Sequence, residues 1–260
     1  MSIRCLQRPE MPRGGLFFRA PPRVIGHRGA MAKAPENTLA SFRRAAKDGS
    51  RWIELDVHLT SDGIPIVFHD DELDRTSDGS GPLSAITLAE LQRLDAGTWF
   101  NPEFAGARIP TLAEAVALSD ELGLKMNVEI KPSPGASVAT AEAVVELIKT
   151  TSRTPQNILF SSFEIDALAA IQRAGQHWPR GLLLDDLHLG WRDEASQLGC
   201  SSVHPQHGTL TSADVVLDIC ETGLAIFTFT VNNPARAKQL LDWGVDAVIT
   251  DDPAAILAVI

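Results

Sequence analysis

From Arg23 to the C-terminus, short runs rich in β-branched residues alternate with helix-like stretches of roughly 10–15 residues, and consecutive βα units around a parallel sheet accommodate that rhythm. Candidate strands fall at residues 24–27, 52–59, 64–69, 125–131, 157–163, 180–184, 201–204, 225–231 and 247–250. Nine is one too many for a closed eight-stranded barrel. Between residues 52–59 and 64–69 there is no helical segment, only Ser61-Asp62-Gly63. Asp-Gly between alternating runs is a hairpin signal, whereas a parallel crossover needs about a dozen residues or more. Residues 64–69 are therefore expected to fold back against residues 57–60, leaving eight staves; a parallel placement reached by an extended crossover is the alternative. The chain has 260 residues, 44% of them hydrophobic, enough for the core of one barrel or of two small domains. The expectation is a single α/β domain over residues 23–260, a (β/α)8 TIM-type barrel.

Asn37-Thr38 before Leu39, Phe42 and Ala46 reads as a cap followed by an apolar stripe, Thr111-Leu112-Ala113-Glu114 as a capping box, and residues 253–260 as a closing helix. Residues 70–109 are too long for a plain βα loop and rich in Asp, Gly, Ser and Pro. They are expected to form a small inserted subdomain, after the second barrel strand and its hairpin, on the active-site side. Residues 1–22 carry Arg4, Arg8, Arg13 and Arg19 but no uninterrupted apolar h-region, and read as a flexible leader or as sequence ahead of a start at Met11. No segment is long and apolar enough to span a bilayer, and three cysteines in no metal-type spacing suit a reducing cytoplasm. The net charge of −10 sets the overall field against a phosphate backbone, so neither nucleic acid nor membrane is an expected partner. Exposed apolar surface on the insertion would point to a homodimer.

Alternate residues of a strand share a face. In Trp52-Ile53-Glu54-Leu55-Asp56-Val57, packing of Ile53, Leu55 and Val57 under the helices sends Glu54 and Asp56 together toward the barrel mouth. In Met126-Asn127-Val128-Glu129-Ile130-Lys131, the same parity turns Glu129 and Lys131 inward. Any one of these carboxylates alone reads as a solvated strand-edge charge. Three converging in a confined site would repel and be driven toward protonation, so they call for a cation. One divalent ion with Lys131 balances the set, and all-oxygen ligation favours Mg²⁺, Ca²⁺ or Mn²⁺, with Mg²⁺ first.

Two histidines end predicted strands at the face where barrel chemistry occurs: His27, in Gly26-His27-Arg28-Gly29, and His69, before Asp70. A lone strand-end histidine is most often structural, but a pair can divide general-base and general-acid roles near neutral pH. Arg28 adds a fork of donors suited to two non-bridging phosphate oxygens. His58, beyond Asp56 on the hairpin, is expected to face solvent; His204 and His207 could line the pocket, and the five tryptophans read as packing.

The segments Gly26-His27-Arg28-Gly29, Ala34-Pro35-Glu36-Asn37-Thr38, Glu54-Leu55-Asp56-Val57, Val67 to Thr76, Glu129-Ile130-Lys131-Pro132, Ser161-Ser162-Phe163, Thr230-Val231-Asn232 and Ile249-Thr250-Asp251 resemble, in order, those of the glycerophosphodiester phosphodiesterases, closest to the bacterial cytoplasmic type. The resemblance implies a (β/α) barrel with a small insertion after His69, and hydrolysis of small glycerophosphodiesters to sn-glycerol 3-phosphate and an alcohol. It implies catalytic roles for His27 and His69, one divalent metal on Glu54, Asp56 and Glu129, and phosphate contacts from Arg28 and Lys131. Phe229 stands where many relatives carry Trp or Tyr, keeping an aromatic wall for glycerol without a polar handle. Two rivals remain: a phospholipase-like lyase stopping at a cyclic phosphate, and a catalytically silent binding barrel.

Overall fold

The computed structural model describes residues 22–151 and 153–260, so the predicted leader lies outside the described residues except for Pro22. In chain order the elements are β1 (Val24–Gly26), α1 (Leu39–Lys47), β2 (Trp52–Leu59), β3 (Pro65–Val67), α2 (Leu88–Leu91), α3 (Leu112–Leu122), β4 (Lys125–Ile130), α4 (Ser137–Lys149) and β5 (Ile158–Ser162). There follow α5 (Ile165–Ala174), β6 (Arg180–Leu184), α6 (Trp191–Gln197), β7 (Ser202–Pro205), α7 (Ala213–Cys220), β8 (Ala225–Thr228), α8 (Pro234–Trp243), β9 (Ala247–Thr250) and α9 (Pro253–Leu257). Eight strands run parallel in the order β1, β9, β8, β7, β6, β5, β4, β2, and pairing of Gly26 with Ile53 closes the ring. The ninth, β3, is antiparallel to β2, with Val57 opposite Val67 and Leu59 opposite Pro65. The hairpin expected from Asp62-Gly63 is therefore formed, and the barrel has eight staves.

Strand parity separates two cores. Ile53, Leu55, Val57, Met126, Val128 and Ile130 face outward into one continuous apolar layer under the helices, joined there by Phe42 of α1 and Leu112 of α3. Ile25, Trp52, Leu159, Phe227 and Ile249 fill the lumen instead. Each such large side chain stabilises the fold by roughly 1.5–3 kcal/mol relative to exposure, and the one-residue alternation leaves the inward positions above the lumen core free for polar groups. Helix starts follow their capping residues: the Thr38 hydroxyl accepts from the Ser41 N–H, and Thr111 with Glu114 completes a capping box on α3.

Between β3 and α3 the chain passes through α2 and two 3₁₀ turns, Leu83–Ala85 and Pro102–Phe104, around a small core of Ile66, Phe68, Leu73, Leu83, Leu91, Ala96 and Ile109. His58, expected from its strand position to face solvent, is instead fully buried, opposite Ile66, and its Nε2 donates to the His69 carbonyl at 3.1 Å. Parity cannot report this, because the cover comes from the returning strand and not from β2 itself. Among the described residues, no helix is long and apolar enough to cross a membrane.

Candidate active site

Parallel register sets Asp56 beside Glu129 and Glu54 beside Asn127 on adjoining strands, and β2 parity stacks the first carboxylate above the second. Glu54, Asp56 and Glu129 each bring an oxygen within 4.8 Å of the others. Burial, followed by the charges of Asp56 and Glu129, pushes the Glu54 carboxyl well above its ordinary value. Burial and Asp56 push Glu129 up to about 8. Asp56 goes the other way: burial opposes ionisation, but Arg28, His69 and Lys131 outweigh it. Three carboxyls that cannot all ionise together form a site short of positive charge. Glu54 Oε1 is moreover buried without a hydrogen-bond partner, the state expected of a ligand oxygen awaiting a cation. This donor set fits a divalent ion.

The turn after β1 is built by its glycines. A Cβ on Gly26 would lie 2.1 Å from the Gly29 carbonyl oxygen, and one on Gly29 would lie 2.3 Å from Ser41 Oγ. That hydroxyl donates to the Arg28 carbonyl and accepts from the Ala30 N–H, tying the turn to α1. Arg28 is left with φ of +49°, a left-handed conformation costing a non-glycine residue roughly 1–2 kcal/mol. In return its N–H donates to Glu54 Oε2 at 2.9 Å, its Nη1 to Glu36 Oε1 at 2.6 Å, and its Nε lies 3.4 Å from Asp56 Oδ2. Asn37, also at positive φ, donates to Asp56 Oδ2 at 2.8 Å. The strained backbone thus serves the acidic cluster directly.

Both predicted histidines stand at this mouth, each backed by a carboxylate. His27 Nδ1 lies 2.6 Å from Asp251 Oδ1, and Asp251 Oδ2 in turn accepts from Asn232 Nδ2. His69 Nδ1 lies 2.5 Å from Asp70 Oδ1, while its Nε2 accepts from the Lys131 ammonium. Since a carboxylate can only accept, both rings carry the Nδ1 proton; that leaves Nε2 of His27 for proton transfer, while Nε2 of His69 is engaged by the Lys131 ammonium. Burial holds His69 below its ordinary value, with Arg28 and Lys131 adding to the effect and Asp56 and Asp70 opposing it. Phe229 is half-buried at the end of β8 and meets the Phe163 ring edge-on, centroids 5.9 Å apart.

Of the eight residues singled out from the sequence, Glu54 and Asp56 lie within β2 and Glu129 within β4, while His27, Arg28, His69, Lys131 and Phe229 follow the ends of β1, β3, β4 and β8. Asp251 and Asn232, by contrast, had been quoted only as motif letters. Asp251 directly follows β9, the stave paired with β1, so its place beside the end of β1 was inferable from barrel closure. His204 faces the lumen, not the substrate mouth: it is fully buried, with Nε2 2.9 Å from Ser202 Oγ. His207 is half-buried.

A barrel mouth that combines two carboxylate-backed imidazoles, an acidic cluster fitted to a cation and two basic groups has the parts a phosphoric diester hydrolase requires. A sequence model of the glycerophosphoryl diester phosphodiesterase family matches residues 27–255, and the chain belongs to that family. A glycerophosphodiester phosphodiesterase of Caldanaerobacter subterraneus subsp. tengcongensis is 35% identical over 90% of this chain and 96% of its own. One from Bacillus subtilis is 32% identical over 88% of this chain and 83% of its own. Among solved structures, an Oleispira antarctica phosphodiesterase in complex with the product sn-glycerol-3-phosphate superposes with a TM-score of 0.89 at 38% identity, covering 92% of this chain and 96% of the other.

Proposed function

We propose that this phosphodiester hydrolase cleaves glycerophosphodiesters such as glycerophosphocholine or glycerophosphoethanolamine to sn-glycerol 3-phosphate and an alcohol, with His27 and His69 moving the protons. The observation that carries the reading is the convergence, at one mouth, of two carboxylate-backed imidazoles with the Glu54, Asp56 and Glu129 cluster. The product held by the Oleispira antarctica relative is the same phosphate monoester.

Arg28 and Lys131 hold the phosphate. One histidine takes the proton of the glycerol 2-hydroxyl as that oxygen bonds to phosphorus; the other gives a proton to the alcohol oxygen as its bond to phosphorus breaks. The result is a five-membered cyclic phosphate. Water then opens the ring with the two roles exchanged. Asp251 and Asp70 keep each ring in the tautomer this needs. Glu54, Asp56 and Glu129 would hold one divalent cation, Mg²⁺ ahead of Ca²⁺ or Mn²⁺, since Mg²⁺ is usually held by a few carboxylates with water and substrate phosphate oxygens completing its shell. When bound, it would offset charge on the non-bridging phosphate oxygens. Phe229 and Phe163 wall the glycerol side.

The sequence motifs support a bacterial cytoplasmic enzyme of the UgpQ type, acting on small diesters, with a barrel over residues 23–260 and an insertion at 70–109. The test is release of sn-glycerol 3-phosphate from glycerophosphocholine by metal-stripped protein resupplied with Mg²⁺, Ca²⁺ or Mn²⁺ in turn. Metal-restored release supports the reading; accumulation of cyclic phosphate would move it to a lyase, and binding without turnover to a silent barrel. A 2-deoxy analogue should be cleaved poorly, since it lacks the internal nucleophile. Equal rates on both diesters would exclude the cyclic route.

A further inference from the structure

Arg75 lies in the insertion, in a segment quoted from the sequence without a role, and reaches two buried or half-buried carboxylates at once. Its Nε donates to Asp70 Oδ2 at 2.5 Å and its Nη2 to Asp70 Oδ1 at 3.0 Å. On the other edge, Nη1 donates to Glu36 Oε2 and Nη2 to Glu36 Oε1, each at 2.8 Å. Asp70 Oδ1 is the atom that receives the His69 Nδ1 proton, and Glu36 Oε1 is the atom that receives Arg28 Nη1. One guanidinium therefore stands behind both a proton-transfer imidazole and the phosphate-holding arginine.

We infer that Arg75 is a positioning residue that fixes His69 through Asp70 and Arg28 through Glu36, so that the insertion, which touches neither reacting proton nor phosphate in this reading, sets the geometry of both. Only a planar fork can do this. Two edges of one guanidinium meet two carboxylates in bidentate pairs, whereas an ammonium has no such edges. Among the described residues the second imidazole has no comparable arginine: Asp251 behind His27 is held by the Asn232 amide. The Glu36 carboxylate, 6% exposed as a residue, would be an uncompensated buried charge without the two arginines that meet it. Arg75 itself is nearly half open to solvent at the side-chain level, 46%, so its replacement need not unfold the barrel.

The inference rests on the reading of His69 and Arg28 as proton-transfer and phosphate groups, and two measurements separate its failure from failure of that reading. Arg75→Lys and Arg75→Gln are compared with the unaltered protein for thermal midpoint and for kcat and KM on glycerophosphocholine. Both should keep the fold and lose on the order of 10–100-fold in kcat, the range seen when groups that orient a functional ligand are removed, with a smaller rise in KM. Arg75→Gln combined with Asp70→Asn should lose less than the product of the two single losses, since the pair share the His69 arm while the Arg28 arm through Glu36 is affected by Arg75→Gln alone.

The second measurement is the low-field proton resonance of each carboxylate-bound imidazole Nδ1–H, assigned by its loss in His27→Gln or His69→Gln. Arg75→Lys should shift or broaden the His69 signal and leave the His27 signal in place. Recovery of kcat to within about twofold in Arg75→Lys, strictly multiplicative losses in the double variant, or an unmoved His69 resonance would each overturn the inference. Shifted resonance in a protein that hydrolyses no glycerophosphodiester would uphold the positioning and sink the proposed reaction instead.

Discussion

The two halves of the barrel interior solve opposite electrostatic problems with the same residue types. On the β1, β2 and β4 side, His27, Arg28, Glu54, Asp56, Glu129 and Lys131 crowd together, and each histidine at the mouth has a carboxylate behind it. On the β6 and β7 side, His204 sits in the lumen beside Phe227 with one hydroxyl neighbour, its Nδ1 unpartnered, and burial alone drives it down to about 3. An imidazole that cannot be protonated near pH 7 is a packing residue; one backed by Asp beside an acidic cluster is the candidate for moving protons. Neighbours, not residue identity, divide function from structure here.

The largest test of that division is catalytic. His27→Gln and His69→Gln should each lower kcat by about 10²–10⁴-fold, the usual contribution of a positioned acid or base, with the circular dichroism spectrum retained. His204→Gln should stay within about threefold of the unaltered activity at pH 7, because its nearest polar neighbour is Ser202 and no substrate group is expected to reach it. A His204→Gln loss as deep as that of His27→Gln would break the comparison outright.

The next effect reverses sign between activity and stability. Glu129→Gln should abolish most metal-restored turnover, on the order of 10²-fold or more, yet stabilise the metal-free protein. The folded state keeps the Glu129 proton up to about pH 8, whereas an unfolded chain releases it near 4.5. Metal-free stability therefore falls as pH rises from about 4.5 to 8, by an amount on the order of a few kcal/mol at most, since coupled carboxyls share the penalty. Denaturant midpoints across that window should slope downward in the unaltered protein and flatten either in Glu129→Gln or on adding the divalent ion. A flat metal-free profile would mean that the three carboxylates carry no mutual strain.

Much of this division was legible in the sequence because it follows from a period of two. The alternation in residues 52–57 and 126–131 placed Glu54, Asp56 and Glu129 in the interior, and Asp62-Gly63 separated β3 from the staves. What parity could not reach are partners chosen by loops. Asp251 meets His27 across 224 positions, and Arg75 meets Glu36 across 39. His58 shows the same limit from the other side: it shares a face with Asp56, but the returning strand covers it. A strand pattern reports which face a residue is on, and only the finished fold reports what closes over that face.

The smallest effect sharpens the neutral half of the comparison. In the folded state His204 resists protonation down to about pH 3, while the unfolded chain takes up that proton near 6.5. Its contribution to stability is complete above about pH 6.5 and is lost as pH falls toward 3, the mirror image of the Glu129 window. At roughly 1.4 kcal/mol per unit of displacement the ceiling is a few kcal/mol, reached only near the bottom of the range. Between pH 7 and 5 the difference is about 1–2 kcal/mol, a matter of roughly 2–8 °C in thermal midpoint for a chain of this size. His204→Gln keeps an amide able to meet Ser202 Oγ and removes the titrating group, so its thermal midpoint should decline less on acidification than that of the unaltered protein. Parallel declines would show that the lumen histidine is already hydrated, and that the neutral half is less dry than the Phe227 and Leu159 packing around it implies.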